Sequence, residues 1–153
     1  MNLEQLLAKY SHIVDRRGWA VVHCAPTINE PRNHVFAYTV GLTAHDRPEI
    51  LITGLPPHIS QGLLDELAAR VYDRNARFVH AQRITDLLID YHAIIIDGHP
   101  AEDLRPHVAN AIYGPNQVRL QQVVWPDPHG RFPWQDGYPH AKAQQPLLNH
   151  PPI

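Results

Sequence analysis

Histidine is the residue type with most chemistry to offer in this chain, at 12 of 153 residues. Imidazole serves as metal ligand, proton shuttle and pH switch, so spacing must decide among these roles. No H-E-x-x-H pair is present, and the single cysteine, Cys24, cannot complete a thiolate zinc site. The most suggestive arrangement is Asp90 with His92, two apart on an expected strand and therefore on one face. A carboxylate so placed can orient an imidazole as general base, or share a divalent ion with it. Asp97 and His99 repeat the spacing where that strand should end. Polar residues on a strand's exposed face have the same pattern, and this plainer reading is preferred. His129, within the turn Pro126 to Gly130, reads as a solvated loop residue. His23 and Cys24 are strand neighbours facing opposite ways, which excludes a dyad between them. Cys24 reads as a buried, inert thiol. The G-x-S-x-G elbow and both glycine-rich nucleotide loops are absent.

Arg70, Arg74 and Arg77 could form a basic stripe for an anion. Glu66 and Asp73 stand four residues before Arg70 and Arg77, so helix-stabilising ion pairs on a solvated face explain the pattern better. The more specific signals are apolar. Ala37, Thr39 and Gly41 give one strand a nearly flat face, on which a helix or a planar, flavin-like ligand can approach closely. Trp125, Phe132, Trp134 and Tyr138 cluster near the C-terminus, in a loop shaped by Gly130 and Pro133. Tryptophan and tyrosine combine large apolar bodies with a polar edge and are favoured at interfaces. Trp125, Phe132 and Trp134, with Tyr38 as neighbour, are therefore the candidate binding residues; the alternative is a segment folded back to seal the core.

The elements that must hold these residues can be read from periodicity. Leu3, Leu6, Leu7, Tyr10, Ile13 and Val14 form one helical stripe, capped by Asn2 and closed by Gly18. Trp19 to Ala25, Val35 to Thr43 and Glu49 to Leu55 read as three strands of an antiparallel meander. In the second of these, Phe36, Tyr38, Val40 and Leu42 should share the bulky face. Pro56-Pro57 opens a second helix running to about Asn75. Arg77 to Gln82 is expected as a short strand, Leu87 to Asp97 as one buried central strand, and Val118 to Trp125 as another. Ala101 to Tyr113 is a weaker helix, which Pro106 either delays or breaks. Strands in blocks rather than strict alternation predict an α+β fold. It should be a single domain over 1–153, a mostly antiparallel sheet of five or six strands with two or three helices packed on it. Residues 135–153 must be held by their aromatics or else form a partly disordered tail.

Composition narrows the function classes. Thirteen Lys+Arg against 15 Asp+Glu give a formal charge of −2, which argues against nucleic acid as a partner. No apolar run reaches the roughly 20 residues of a membrane span, and MNLEQLLAKY lacks the pattern of a secretory signal. The expected setting is the cytoplasm.

Four strings occur together in order: Gly18-Trp19-Ala20-Val21; Phe36 to Leu42 (FAYTVGL); Pro48-Glu49 followed by Gly54-Leu55-Pro56; and Val123 to Trp134 (VVWPDPHGRFPW). In these, the chain from about 12 to 148 resembles a bacterial, largely actinobacterial family of uncharacterised proteins, a catalogued domain of unknown function. The resemblance implies no particular activity, cofactor or catalytic residue. A fainter likeness, in Tyr38 to Leu42, Pro56-Pro57 and the Leu63 to Val71 helix, is to suppressor-of-fused-like domains among bacterial toxin-immunity proteins, and it implies protein binding.

The sequence thus predicts a small cytoplasmic, histidine-rich protein-binding or regulatory module with no cofactor and no metal, whose partner is a protein. The alternatives are a small hydrolase or metal-assisted enzyme using Asp90 and His92 with other histidines, and a flavin-like small-ligand binder.

Overall fold

The computed structural model describes residues 2–29, 34–99, 103–138 and 145–148. Helix α1 (Leu3–Arg17) starts at a capping box: the Asn2 Oδ1 accepts from the Gln5 N–H at 2.8 Å, and the Asn2 N–H donates to the Gln5 side chain at 3.1 Å. It ends at Gly18, whose φ of +94° suits glycine. Strands β1 (Ala20–Cys24), β2 (Phe36–Val40) and β3 (Glu49–Thr53) form the expected antiparallel meander. Helix α2 (Pro57–Arg74) carries proline in its first turn and closes at Asn75 in the left-handed conformation. Strands β4 (Arg83–Leu88) and β5 (Tyr91–Gly98) follow, then the short helix α3 (His107–Tyr113) and strand β6 (Leu120–Val124). Pro106 precedes α3, so it delays that helix rather than breaking it.

The strands form one sheet in the order β1-β2-β3-β6-β5-β4. All neighbours are antiparallel except β3 and β6. Helix α2 covers one face, with Leu64, Leu67, Ala68 and Val71 packed on Val21, Ala37, Ile52, Ile95 and Val123. On the other face α1 and α3 cover Val22, Phe36, Tyr38 and Leu51. Beside them, Phe132 and Trp134 lie over Ile94, Ile96 and Val124. The architecture is the expected α+β one: three helices on a six-stranded, mostly antiparallel sheet.

Three local readings are corrected. Leu87 to Asp97 is not one strand but the end of β4, a two-residue turn and β5. Asp90 sits at φ +64°, a left-handed position that aspartate tolerates, and Ile89 beside it is 88% exposed. Arg77 to Gln82 is no strand, although it docks on β5: Ala81 N–H donates to Ile95 O and Ile95 N–H to Gln82 O. The next rung is taken by a side chain, with the Asp97 N–H donating to His80 Nδ1 at 3.0 Å. Leu42, finally, packs with the α2 cluster and not with Phe36 and Tyr38. Alternation stops at Gly41, whose φ of +131° turns the chain.

That turn is built around a buried carboxylate. Glu49 accepts from the backbone N–H groups of Gly41, Leu42 and Thr43 and from the hydroxyls of Thr39 and Thr43. Burial pushes its carboxyl above the ordinary value, and these donors pull it partly back. Across the turn, the Tyr72 hydroxyl lies 2.7 Å from Gly18 O and 2.8 Å from Gly41 O, tying the end of α1 to the end of β2.

The chain after β6 is fastened by amide side chains. Gln145 bonds both the N–H and the C=O of Trp125, at 3.0 and 2.9 Å. Gln122 donates to Pro146 O and accepts from the Leu148 N–H. These two buried glutamines act as stand-ins for a neighbouring strand. The expectation of a partly disordered tail over 135–153 falls for the most part on residues 139–144 and 149–153, which lie outside the described residues.

Candidate functional site

Of the four candidate binding residues, Phe132 and Trp134 are brought together, while Tyr38 and Trp125 each pack in a different cluster. Tyr38 is 1% exposed; its hydroxyl accepts from the Val108 N–H at 3.0 Å, and burial pushes it well above the usual phenol range. Phe132 is 2% exposed and stacks on Trp134 with ring centroids 5.2 Å apart and planes 9° apart. Tyr38 and Phe132 are thus core residues, Phe132 sealing the sheet as a folded-back segment does. Trp134 is half-buried. Trp125, also half-buried, lies on the opposite face, with its Nε1–H donating to Thr53 O at 2.8 Å.

Loop geometry around Phe132 depends on Asp127, whose buried carboxylate accepts from the N–H groups of His129 and Arg131 and from the Arg131 guanidinium. Burial draws its carboxyl up. The Arg131 backbone N–H, the Arg131 side chain and the His129 N–H outweigh that and hold it below its ordinary value.

Asp90 and His92 do share a cleft, although Asp90 stands in the hairpin turn rather than on the strand. It has a volume of about 480 Å³, and His129, read from sequence as a loop residue, lies on its wall. The Tyr91 hydroxyl donates to Pro128 O at 2.6 Å and fixes the loop there, while the His92 ring rests 5.2 Å from that of Phe132. Among the described residues, no group of three His, Cys, Asp or Glu side chains could hold a metal ion. On the flat face Ala37 packs in the α2 cluster and Thr39 bonds Glu49 and the Ile50 N–H, and both are fully buried, so this face is closed to a planar ligand. Arg70 pairs with Glu66 and also with Asp86, at 3.0 and 2.9 Å. Arg77 falls beyond the end of α2, so the expected pair with Asp73 does not form.

The site that sequence did not show is an apolar groove of about 400 Å³. Helix α2 supplies Ile59 and Leu63, the hairpin supplies Leu88 and Ile89, and Tyr91 and Trp125 close it. Of seven large apolar side chains exposed among the described residues, three border this groove: Ile59, Ile89 and Tyr91. The signal available beforehand was Ile59 and Leu63 at i and i+4 beside the two prolines; its partner wall was hidden inside a run read as one buried strand.

Together these features define a small α+β domain with two open concavities beside the β4–β5 hairpin. The chain belongs to the DUF4262 family, a domain of unknown function, whose family model matches residues 13–139. That is the kind of family the four sequence strings indicate. No curated protein and no solved structure matches the chain. No helix among the described residues is long and apolar enough to cross a membrane.

Proposed function

We propose that this protein is a cytoplasmic protein-binding module whose contact surface is the apolar groove beside Trp125. The observation that carries the reading is the gathering of Ile59, Ile89 and Tyr91 around one concavity, where a soluble domain scatters its exposed apolar side chains. The groove has room for one or two apolar anchors from a partner chain, with Trp125 as the rigid aromatic wall typical of an interface centre. Loss of such an anchor costs about 2 kcal/mol or more, roughly a thirtyfold loss of affinity. A photo-crosslinking residue at position 89 should give a discrete adduct in the native host, absent when the residue is placed at Arg16 and lost on Ile59→Asp. Identical adducts from positions 89 and 16, or none from 89, would sink this reading.

A second reading rests on the cleft that holds Asp90, His92 and His129: a small hydrolase. Turnover of activated ester or phosphate substrates, abolished by His92→Ala, would support it; turnover that survives this change would count against it.

A further inference from the structure

Arg47 is 6% exposed, yet every group that its guanidinium bonds among the described residues is neutral: Ala76 O, the Asn75 side chain, His45 O and Asp46 O. Arginine stays ionised in a protein, and a buried charge that lacks a counter-charge is costly. Arg47 lies on the wall of a cleft of about 490 Å³ at the end of the sheet opposite the apolar groove. The ends of β5 and β6 meet there, beneath the chain from Arg77 to His80.

The rest of the lining offers further donors. Arg77, exposed, has no carboxylate partner among the described residues. His80 uses Nδ1 to accept from the Asp97 N–H, so its neutral ring carries the proton on Nε2 as a spare donor. Both acids lining the cleft already have partners. Asp46 faces Arg119 at 3.3 Å, and Asp97 accepts from Gln121 Nε2 at 2.9 Å. That Gln121 amide is 4% exposed and its other contact is Phe78 O at 2.7 Å, which holds the Phe78 segment over the cleft. Phe78, Val79, Val118 and Leu120 supply an apolar wall.

We propose that this cleft binds a small organic anion, a carboxylate or phosphate monoester carried on an apolar body. The anionic head lies toward Arg47, Arg77 and His80, and the apolar body covers Phe78 and Val79. The inference does not depend on the protein-binding reading, since no residue lines both sites.

Titration of the intact protein with 1-naphthoate, 1-naphthyl phosphate and neutral 1-naphthalenemethanol, followed by NMR, tests it. One or both anions should bind, shifting the Gln121 side-chain amide and His80 signals, with the neutral analogue weaker by roughly tenfold or more. Whichever anion binds more tightly identifies the head group. Arg77→Gln, an exposed change that leaves folding intact, should weaken the anion by roughly tenfold. Ile89→Asp in the distant groove should leave it unchanged. The proposal fails if the neutral analogue binds as well as the anions, if Arg77→Gln has no effect, or if nothing binds up to about 10 mM.

Discussion

Gly41→Ala tests the junction on which this fold turns. A Cβ placed on Gly41 would lie 2.2 Å from Gly18 O and 2.8 Å from the Trp19 Cα, and both are backbone atoms that cannot swing aside. The end of α1 would have to move away from the end of β2. Overpacking of this kind costs about 1–3 kcal/mol. The φ of +131° adds strain of about 1–3 kcal/mol for any residue with a side chain. Separating the two carbonyls breaks the shared contact with the Tyr72 hydroxyl, for about 1 kcal/mol more. The expected loss is about 3–7 kcal/mol, a large part of a small domain's stability of about 5–15 kcal/mol. Gly62→Ala is the internal control. It sits within α2, and a Cβ there would meet nothing within 4 Å beyond the helix's own backbone and its chain neighbours, so the same methyl should stabilise by about 0.5–1 kcal/mol. Urea denaturation of both variants decides the matter, because the midpoints should move in opposite directions by amounts set by a shared slope. If Gly41→Ala unfolds within about 0.3 M of the parent, with slopes of about 1–3 kcal/mol/M, the α1–β2 junction is not the rigid point described above.

Two further outcomes follow from the titratable groups. Asp127 sits below its ordinary value in the fold, so the stability it contributes is present above that value and is lost as pH falls through the lowered one. Asp127→Asn should therefore cost most at neutral pH and progressively less toward pH of about 3, in urea midpoints measured at both; an equal cost throughout would refute the assigned role. Burial pushes the Cys24 thiol up to about 11, from an ordinary 9.0. Alkylation by iodoacetamide at mildly alkaline pH should be about a hundredfold slower in the native protein than in urea, and equal rates would show the thiol to be open.

What could be read in advance divides along physical lines. Helix α1 announced itself because start signal, stripe and stop signal coincide at Asn2, Leu3 to Val14 and Gly18. The β1–β3 meander was equally legible from β-rich runs separated by short turns. The β4–β5 hairpin was not, because Ile89 and Asp90 turn the chain without glycine or proline, inside an unbroken apolar run. Leu42 was misplaced for a related reason: a period of two holds only while the strand stays extended, and Gly41 ends it. At the surface, tryptophan, tyrosine and phenylalanine signal burial and recognition alike, so Tyr38 and Phe132 looked like contact residues until the topology placed the α3 side and the C-terminal segment over them. The groove and the cleft each draw on elements far apart in the chain. An arginine such as Arg47, in a turn rich in polar residues, carries no mark in sequence of being buried against neutral groups alone among the described residues.

The position of β6 between β3 and β5 has a consequence for how the molecule is made. Of the six strands of this sheet among the described residues, the last to leave the ribosome is the one that joins its two halves. Until residues 120–124 emerge, the meander and the hairpin each present a naked apolar edge, and such edges invite pairing with foreign strands. Any chain cut short before this keystone would hold two orphaned half-sheets. Nascent-chain aggregation should therefore drop abruptly once β6 clears the exit tunnel, rather than decline steadily with length.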